Sequence, residues 1–201
     1  KSSNFIWKYD LHIINETITK ENINNIISKN FKFKHIGVLS IDIDGNDYWV
    51  WKNINVIKPC IVICEYNSTF GDMHSFTIPY DQNFKRSQTH YSNLYFGASI
   101  KALIDLGISK NYKFLGTNSN GCNAFFIRSD LADIILKKIK NISIYPGKFR
   151  ESRDQNNNLN FLKSNEKLNE INHLKVYDLN NKKYFKIKEL KKICSEEWLF
   201  G

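Results

Sequence analysis

Carboxylates at alternate positions follow an apolar, strand-like run in this 201-residue chain. The run "VLSIDIDGND" places Asp42, Asp44 and Asp47 directly after its β-branched residues. A second apolar run, "CIVICEYN", ends with Glu65 and Asn67. Burying an unpaired carboxylate costs on the order of several kcal/mol. We therefore expect these side chains at the rim of a sheet, where they face a pocket.

Oxygen ligands of this kind suit Mg²⁺ or Ca²⁺. Asp42 and Asp44 share one face of an extended strand, and Glu65 and Asn67 are also spaced two apart on the next. The pattern predicts a metal site formed by these four residues. The alternative is that some of the acids cap the helix beginning near Asn46 or accept hydrogen bonds from loop amides. An EF-hand is excluded because the glycine comes too early in the loop.

A long loop rich in polar and aromatic residues, 68–95, follows the second run. It contains His74, which we predict to be a general base because histidine titrates near neutral pH. Asp44, which would organise metal or acceptor, is the other predicted catalytic residue. His90 is a weaker candidate for the base. Aromatic side chains could stack on a sugar or nucleobase, and arginines could clamp an anion. On these grounds the predicted substrate-binding residues are Tyr80, Arg86, Tyr95 and Arg150.

The apolar spacing along the chain predicts an α/β fold. A helix capped by Thr19 precedes the first apolar strand, a short helix follows it, and Lys58-Pro59 leads into the second strand. After the long loop come the helix "GASIKALIDLGISKN", a hairpin turning at 118–121, and the helix "LADIILKKIK". Strands that alternate with helices favour right-handed crossovers and a parallel sheet. Residues 145–172 are predicted to be irregular, and the tail to be a hairpin turning at Asn180-Asn181.

Composition limits the classes of function. The net charge of +9 favours an anionic partner, such as a phosphorylated substrate, nucleic acid or acidic lipid, unless the lysines simply form a solvated face. No apolar run approaches the ~20 residues of a membrane helix, and no secretory signal opens the chain, so a cytoplasmic location is expected. The four cysteines are expected to be buried reduced thiols.

The segments "IGVLSIDIDGNDYWVW", "PCIVICEYN", "YFGASIKALIDLG" and "GCNAFFIR" resemble the C-terminal half of a class I S-adenosylmethionine-dependent methyltransferase. Within that superfamily they are most similar to FkbM-type enzymes, although Ser40 and Asp44 replace a lysine and a glutamate of the FkbM pattern. The resemblance implies a Rossmann-like, mostly parallel sheet with a C-terminal antiparallel hairpin and helices on both faces. Residues 1–140 would form this core, and residues 141–201 a C-terminal extension.

The resemblance also implies a function. It indicates methyl transfer from S-adenosylmethionine to an oxygen of a carbohydrate or phosphorylated small molecule, in surface-polysaccharide or natural-product biosynthesis, with Mg²⁺ as a possible second cofactor. The family's glycine-rich turn is missing, and the only methionine is Met73, so we expect the cofactor-binding part to lie outside this sequence. The alternative is a non-catalytic module of the same fold that binds an anionic glycan or nucleic acid. Nucleic acid is the less favoured partner, and a homo-oligomer is possible.

Overall fold

The computed structural model describes residues 11–32, 35–139, 141–148 and 151–200. Short helices and strands alternate up to residue 136, and an irregular stretch and a second hairpin follow. The helices are α1 (Ile23–Asn30), α2 (Asp47–Asn53), α3 (Arg86–Thr89), α4 (Ile100–Ser109), α5 (Ala132–Leu136), α6 (Ser164–Ile171) and α7 (Glu196–Phe200). The strands are β1 (Val38–Ile41), β2 (Ile61–Glu65), β3 (Phe76–Thr77), β4 (Tyr112–Thr117), β5 (Asn123–Arg128), β6 (Lys175–Asp178) and β7 (Lys183–Lys186). The predicted α/β class is confirmed.

The first sheet has four strands in the order β1-β2-β5-β4. β1 and β2 are parallel and are connected through α2, whereas β5 runs antiparallel to both of its neighbours. The prediction of a mostly parallel sheet is therefore wrong for the described residues. A parallel pair needs a crossover connection, and only the β1–α2–β2 unit supplies one here, because β4 and β5 form a hairpin.

The second sheet has three antiparallel strands in the order β3-β6-β7. β3 pairs Phe76 with Asp178 of β6, so the sheet combines strands from both parts of the predicted domain division. The predicted tail hairpin is confirmed as β6 and β7. Its turn is held by the Asp178 carboxylate, which accepts hydrogen bonds from the backbone of Asn180 and Asn181 at 2.9 Å.

Helix α6 lies within the stretch that was predicted to be irregular. The eight residues "SNEKLNEI" contain only two apolar side chains, Leu168 and Ile171, which gave too weak a periodic signal. Ile171 is fully buried in a core that also contains Phe76, Val176 and Ile187. Tertiary packing therefore stabilises this helix more than its intrinsic propensity does.

The main core is formed by the first sheet with α1, α2 and α4. Val62 of β2 and Phe126 of β5 lie opposite each other, and both are fully buried. Trp51 of α2 packs on Phe126 with ring centroids 4.8 Å apart. Gly107 allows α4 to approach closely, since a Cβ at this position would lie 2.8 Å from the Phe126 ring. This packing holds β2 in the middle of the sheet.

The C-terminal tail packs against the loop that follows β2. The Asp72 carboxylate accepts hydrogen bonds from the backbone and hydroxyl of Ser195 at 2.8 and 2.7 Å. The Trp198 indole donates to the Ser68 carbonyl at 3.1 Å, and its ring lies against Tyr66. The tail thus fixes the first residues of the loop.

All four cysteines are free thiols, as predicted, but only Cys64 is fully buried, where burial raises the pKa of its thiol well above the ordinary value. Cys60, Cys122 and Cys194 are half-buried.

Within the described ranges, every helix is too short or too polar to cross a bilayer.

Candidate functional site

Asp47 organises the loop at the end of β1. It is fully buried at the start of α2, and its carboxylate accepts hydrogen bonds from the backbone of Ile43 at 3.0 Å and of Gly45 at 2.9 Å. Burial raises the pKa of Asp47, and the two backbone hydrogen bonds oppose that shift. Asp47 therefore has the loop-amide role that was the alternative to metal binding. The turn also places Asp44 at a φ of 56°, which presents its side chain to solvent.

Glu65 ends β2, next to the loop that Asp47 holds. The pKa of its carboxyl is raised to about 8, chiefly by burial and then by the negative charges of Asp47 and Asp42, while Arg86 acts in the opposite direction. Its Oε2 atom is buried and has no hydrogen-bond partner among the described residues. At neutral pH this group is mostly a protonated, neutral acid that can donate a hydrogen bond.

Arg86 is the cation of this rim, as its predicted role in binding an anion requires. Its Nη1 contacts the Asp44 carboxylate at 2.9 Å, and its Nε donates to the Asn93 carbonyl at 2.8 Å. The guanidinium carbon lies 3.7 Å from the centroid of the Phe96 ring. We call Asp42, Asp44, Asp47, Glu65 and Arg86 the acidic rim. Sequence reasoning named Phe96 only as one of the aromatic residues in or beside the loop and missed Asn93, because nothing local connects either residue to an arginine at the start of α3.

Asn67 has a structural role. It is almost fully buried, and its amide donates to the carbonyls of Leu94 at 2.7 Å and Phe96 at 2.9 Å. Its carbonyl oxygen accepts from the backbone of Thr69 at 3.0 Å. Asn67 therefore fastens the 94–96 segment to the end of β2 and has little capacity left for a ligand.

The geometry does not assemble the predicted metal site. Asn67 is used within the loop, and Asp44 is paired with Arg86. Across the described ranges, no three His, Cys, Asp or Glu side chains are placed to hold a metal ion together. The residues present therefore do not fit Mg²⁺ in the predicted arrangement, and metal dependence stays a prediction.

The other predicted site residues that the structure describes, His74, Tyr80 and Tyr95, form their hydrogen bonds outside the acidic rim. The Nε2 atom of His74 is 3.1 and 3.2 Å from the carbonyls of Lys191 and Lys192, which ties this histidine to the tail. The Tyr80 hydroxyl donates to Glu21, and burial with this hydrogen bond raises the pKa of Tyr80 to about 12.

Tyr95 is buried in the second core, where its hydroxyl donates to the Lys175 carbonyl. Arg150 lies outside the described residues. Of the three predicted substrate-binding residues that the structure describes, Arg86 is the one that belongs to the acidic rim.

His90 supports the loop that carries Arg86. Its carbonyl accepts a hydrogen bond from Asn93, whose own carbonyl holds Arg86. Its ring stacks on Tyr91 and lies 5.6 Å from the ring of His173. Burial, and then the charge of His173, lower the pKa of His90, whereas Glu170 raises it.

We expect His90 to titrate below its ordinary pKa of about 6.5. Because the folded state disfavours the protonated ring, this group reduces stability as the pH falls below its unfolded pKa. Replacing His173 by glutamine is expected to raise the pKa of His90 and to lessen the loss at acid pH. An NMR titration of the imidazole signals measures the pKa of His90, and urea denaturation across the same pH range measures the loss of stability. A pKa of His90 unchanged by the substitution would contradict the coupling.

Two cavities lie away from the acidic rim. A cleft of about 1070 Å³ lies at the opposite end of the sheet, where its lining includes Lys58, Lys110 and Arg128. An apolar groove of about 230 Å³ runs along β1, between that strand and α1. Neither cavity is lined by a residue of the acidic rim.

Comparisons of the chain with models of protein families, with curated proteins and with solved structures found no match. The function must therefore be argued from the site itself.

Proposed function

We propose that this chain is part of an S-adenosylmethionine-dependent O-methyltransferase that acts on a carbohydrate or a phosphorylated small molecule. In this proposal the first sheet is the C-terminal half of a Rossmann-like methyltransferase sheet. The parallel strands β1 and β2 correspond to its fourth and fifth strands, and the hairpin β4–β5 to its sixth and seventh. A cytoplasmic location, a role in polysaccharide or natural-product biosynthesis and possible homo-oligomers belong to the same proposal.

The observation that carries the proposal is the acidic rim at the carboxyl ends of two adjacent parallel strands. Ligands of α/β sheets bind beyond the carboxyl ends of such strands. The rim there combines a buried acid that has an unpaired oxygen, Glu65, with an arginine fixed by three contacts. Such a pair suits a polar acceptor that bears both a hydroxyl and an anionic group.

The residue roles proposed here concern the acceptor. Arg86 would bind an anionic group of the acceptor, and Asp44 would orient Arg86. Asp42 is exposed and has no hydrogen-bond or ion-pair partner among the described residues, so its carboxylate is available to take the proton of the acceptor hydroxyl. Glu65 would donate a hydrogen bond to the acceptor. His74, predicted as the base, is replaced in this role because its ring is held by the tail.

S-adenosylmethionine would supply the methyl group as a sulfonium. The positive-φ glycines of the described residues are Gly71, Gly97, Gly116 and Gly121, which are isolated and form no glycine-rich turn. These residues do not fit the cofactor by themselves, and no residue of this chain is assigned to it.

The test is calorimetric titration of S-adenosylmethionine into the natural protein at full length and into residues 1–201, each with and without Mg²⁺. We expect the full-length protein to bind and residues 1–201 to bind at least about tenfold more weakly, because the glycine-rich turn and the acid that holds the ribose are a large part of such sites. An effect of Mg²⁺ would support the metal prediction. Failure of the full-length protein to bind the cofactor would refute the proposed function.

A second candidate function is a non-catalytic module that binds an anionic glycan. A surface of partly exposed aromatic rings beside lysines, described below, favours it. The two candidates differ in cofactor affinity, since the module needs none.

A further inference from the structure

Four aromatic side chains from separate parts of the chain form one continuous strip on the surface. Trp49 of α2 is at its centre, with ring centroids 6.1 Å from Tyr80 and 5.8 Å from Tyr177 of β6. Tyr177 in turn lies 5.1 Å from Tyr184 of β7. We call Tyr80, Trp49, Tyr177 and Tyr184 the aromatic strip. It connects the helix that follows the acidic rim to the tail hairpin.

The strip is open to solvent at its hairpin end. Tyr177 and Tyr184 are directly opposite each other on β6 and β7, and Tyr184 is 61% exposed. Their hydroxyls have no hydrogen-bond partner among the described residues. A contiguous patch of aromatic side chains that stays open to solvent is a common mark of a binding site.

Lysines flank the strip at both ends. The Lys20 ammonium is 3.8 Å from the centroid of the Tyr80 ring, and the Lys52 ammonium is 5.3 Å from that of Trp49. Beyond Tyr177 and Tyr184 on the same face, Lys175 and Lys186 are directly opposite each other. Glu21 contacts Lys20 and Tyr80 at one end of the strip. At the other end the Glu189 carboxylate accepts a hydrogen bond from the backbone N–H of Lys186 at 3.1 Å.

The Lys175–Lys186 pair needs an explanation. Like charges directly opposite each other on a sheet are destabilising. Neither ammonium forms an ion pair with any described residue. An anionic ligand lying across the hairpin would remove this repulsion, and the adjacent tyrosines would contact the rest of that ligand.

We propose that the aromatic strip binds an anionic oligosaccharide. The apolar C–H faces of sugar rings would lie on Trp49, Tyr177 and Tyr184, and acid groups of the glycan would pair with Lys175, Lys186 and Lys52. The ring planes of the strip are tilted by 45–63° and touch one another, so no parallel gap is left into which a planar nucleobase could insert. This geometry favours a glycan over a nucleic acid.

Hydrogen bonds to the segment 78–81 connect the strip with the start of α2, beside the acidic rim. Asn46, beside Asp47, donates to the Asp81 carbonyl at 2.8 Å, and the Trp49 indole donates to the Ile78 carbonyl at 3.1 Å. The segment 78–81 therefore contacts both sites. The inference rests on the proposed function in one respect. The strip would hold the distant sugars of the acceptor while one hydroxyl of the same acceptor enters the acidic rim.

Binding can be measured without methyl transfer. The probes are a hyaluronan hexasaccharide, which carries carboxylates, neutral maltohexaose, and an eight-nucleotide thymidine oligomer, each titrated into the full chain by calorimetry. The variants are Tyr184→Ala and the double substitution K175Q/K186Q. Their matched controls are Tyr145→Ala, which removes another exposed tyrosine, and K137Q/K138Q, which removes the same charge from an exposed turn.

We expect hyaluronan to bind more tightly than either other probe, and each strip variant to weaken that binding by about tenfold or more. The controls are expected to change it less than about twofold. In the absence of ligand, K175Q/K186Q is expected to raise the melting temperature, because it removes the repulsion between two lysines directly opposite each other on β6 and β7. K137Q/K138Q is not expected to do so, because these lysines are not a cross-strand pair.

Equal binding by all variants would overturn the inference, and so would tighter binding of the oligonucleotide than of hyaluronan. The outcomes separate the two proposals. If the strip variants lose glycan binding and the full-length protein does not bind the cofactor, glycan binding by the strip is supported and the methyltransferase function is refuted. Cofactor binding by the full-length protein, together with glycan binding that the strip variants leave unchanged, would support the methyltransferase and refute the strip.

Discussion

Replacing Glu65 by glutamine is expected to stabilise the protein at pH 8.5 and to leave its stability nearly unchanged at pH 4.5. Burial and the charges of Asp47 and Asp42 raise the pKa of Glu65 to about 8 in the folded state. In the unfolded chain the pKa of glutamate is about 4.3. Glutamine resembles the protonated acid in shape and never has to lose a proton.

The sign follows from proton binding. Between pH 4.3 and 8 the folded protein binds more protons at this site than the unfolded chain does, so stability falls as the pH rises through that interval. The loss is complete above pH 8 and amounts to roughly 3 to 5 kcal/mol. The free energy of unfolding of Glu65→Gln minus that of the natural chain should therefore increase with pH over this range.

Urea denaturation at half-unit steps of pH measures this difference. Glu16→Gln, at an exposed position, is the matched control, and its difference should stay flat. A Glu65→Gln difference that is equally flat would contradict the burial of this carboxyl at the end of β2. A bound cation at the rim would reduce the slope, so the same series with Mg²⁺ also tests for metal.

Replacing Asp47 by alanine is expected to destabilise the protein by about 2 to 4 kcal/mol. The substitution removes the acceptor of the backbone N–H groups of Ile43 and Gly45. Gly45 is buried against the Phe84 ring, so its N–H cannot easily turn to water. Both N–H groups would lose their protection from hydrogen exchange, and the loop that presents Asp42 and Asp44 would lose its fixed shape.

The contrast with Asp42 tests this reasoning. Asp42 is exposed, and Asp42→Asn is expected to change the stability by less than about 0.5 kcal/mol. Both substitutions remove a negative charge near Glu65, so both should lower the pKa of Glu65, with Asp47 having the larger effect. An Asp47→Ala variant as stable as the natural chain would show that the loop does not depend on this carboxylate.

Elements whose periodicity is local could be predicted from the sequence alone. The two apolar runs became the adjacent parallel strands β1 and β2, and both hairpins turned where the glycine and asparagine residues predicted. The sequence also placed Asp42 and Glu65 at the carboxyl ends of those strands, although the Glu65 carboxyl stays largely buried there. These features depend on residues only a few positions apart.

Which of these residues act together depends on contacts between distant parts of the chain. Arg86 donates a hydrogen bond to Asp44, which lies 42 positions earlier in the sequence. The Asn67 amide donates to carbonyls 27 and 29 positions later, and the His74 ring contacts a tail carbonyl 117 positions later. The Trp49–Tyr177 contact arises because β3 pairs with β6, and a two-residue strand gives no periodic signal of its own. Long-range contacts such as these depend on how the two sheets pack on their cores. The spacing of residue types along the sequence does not predict that packing.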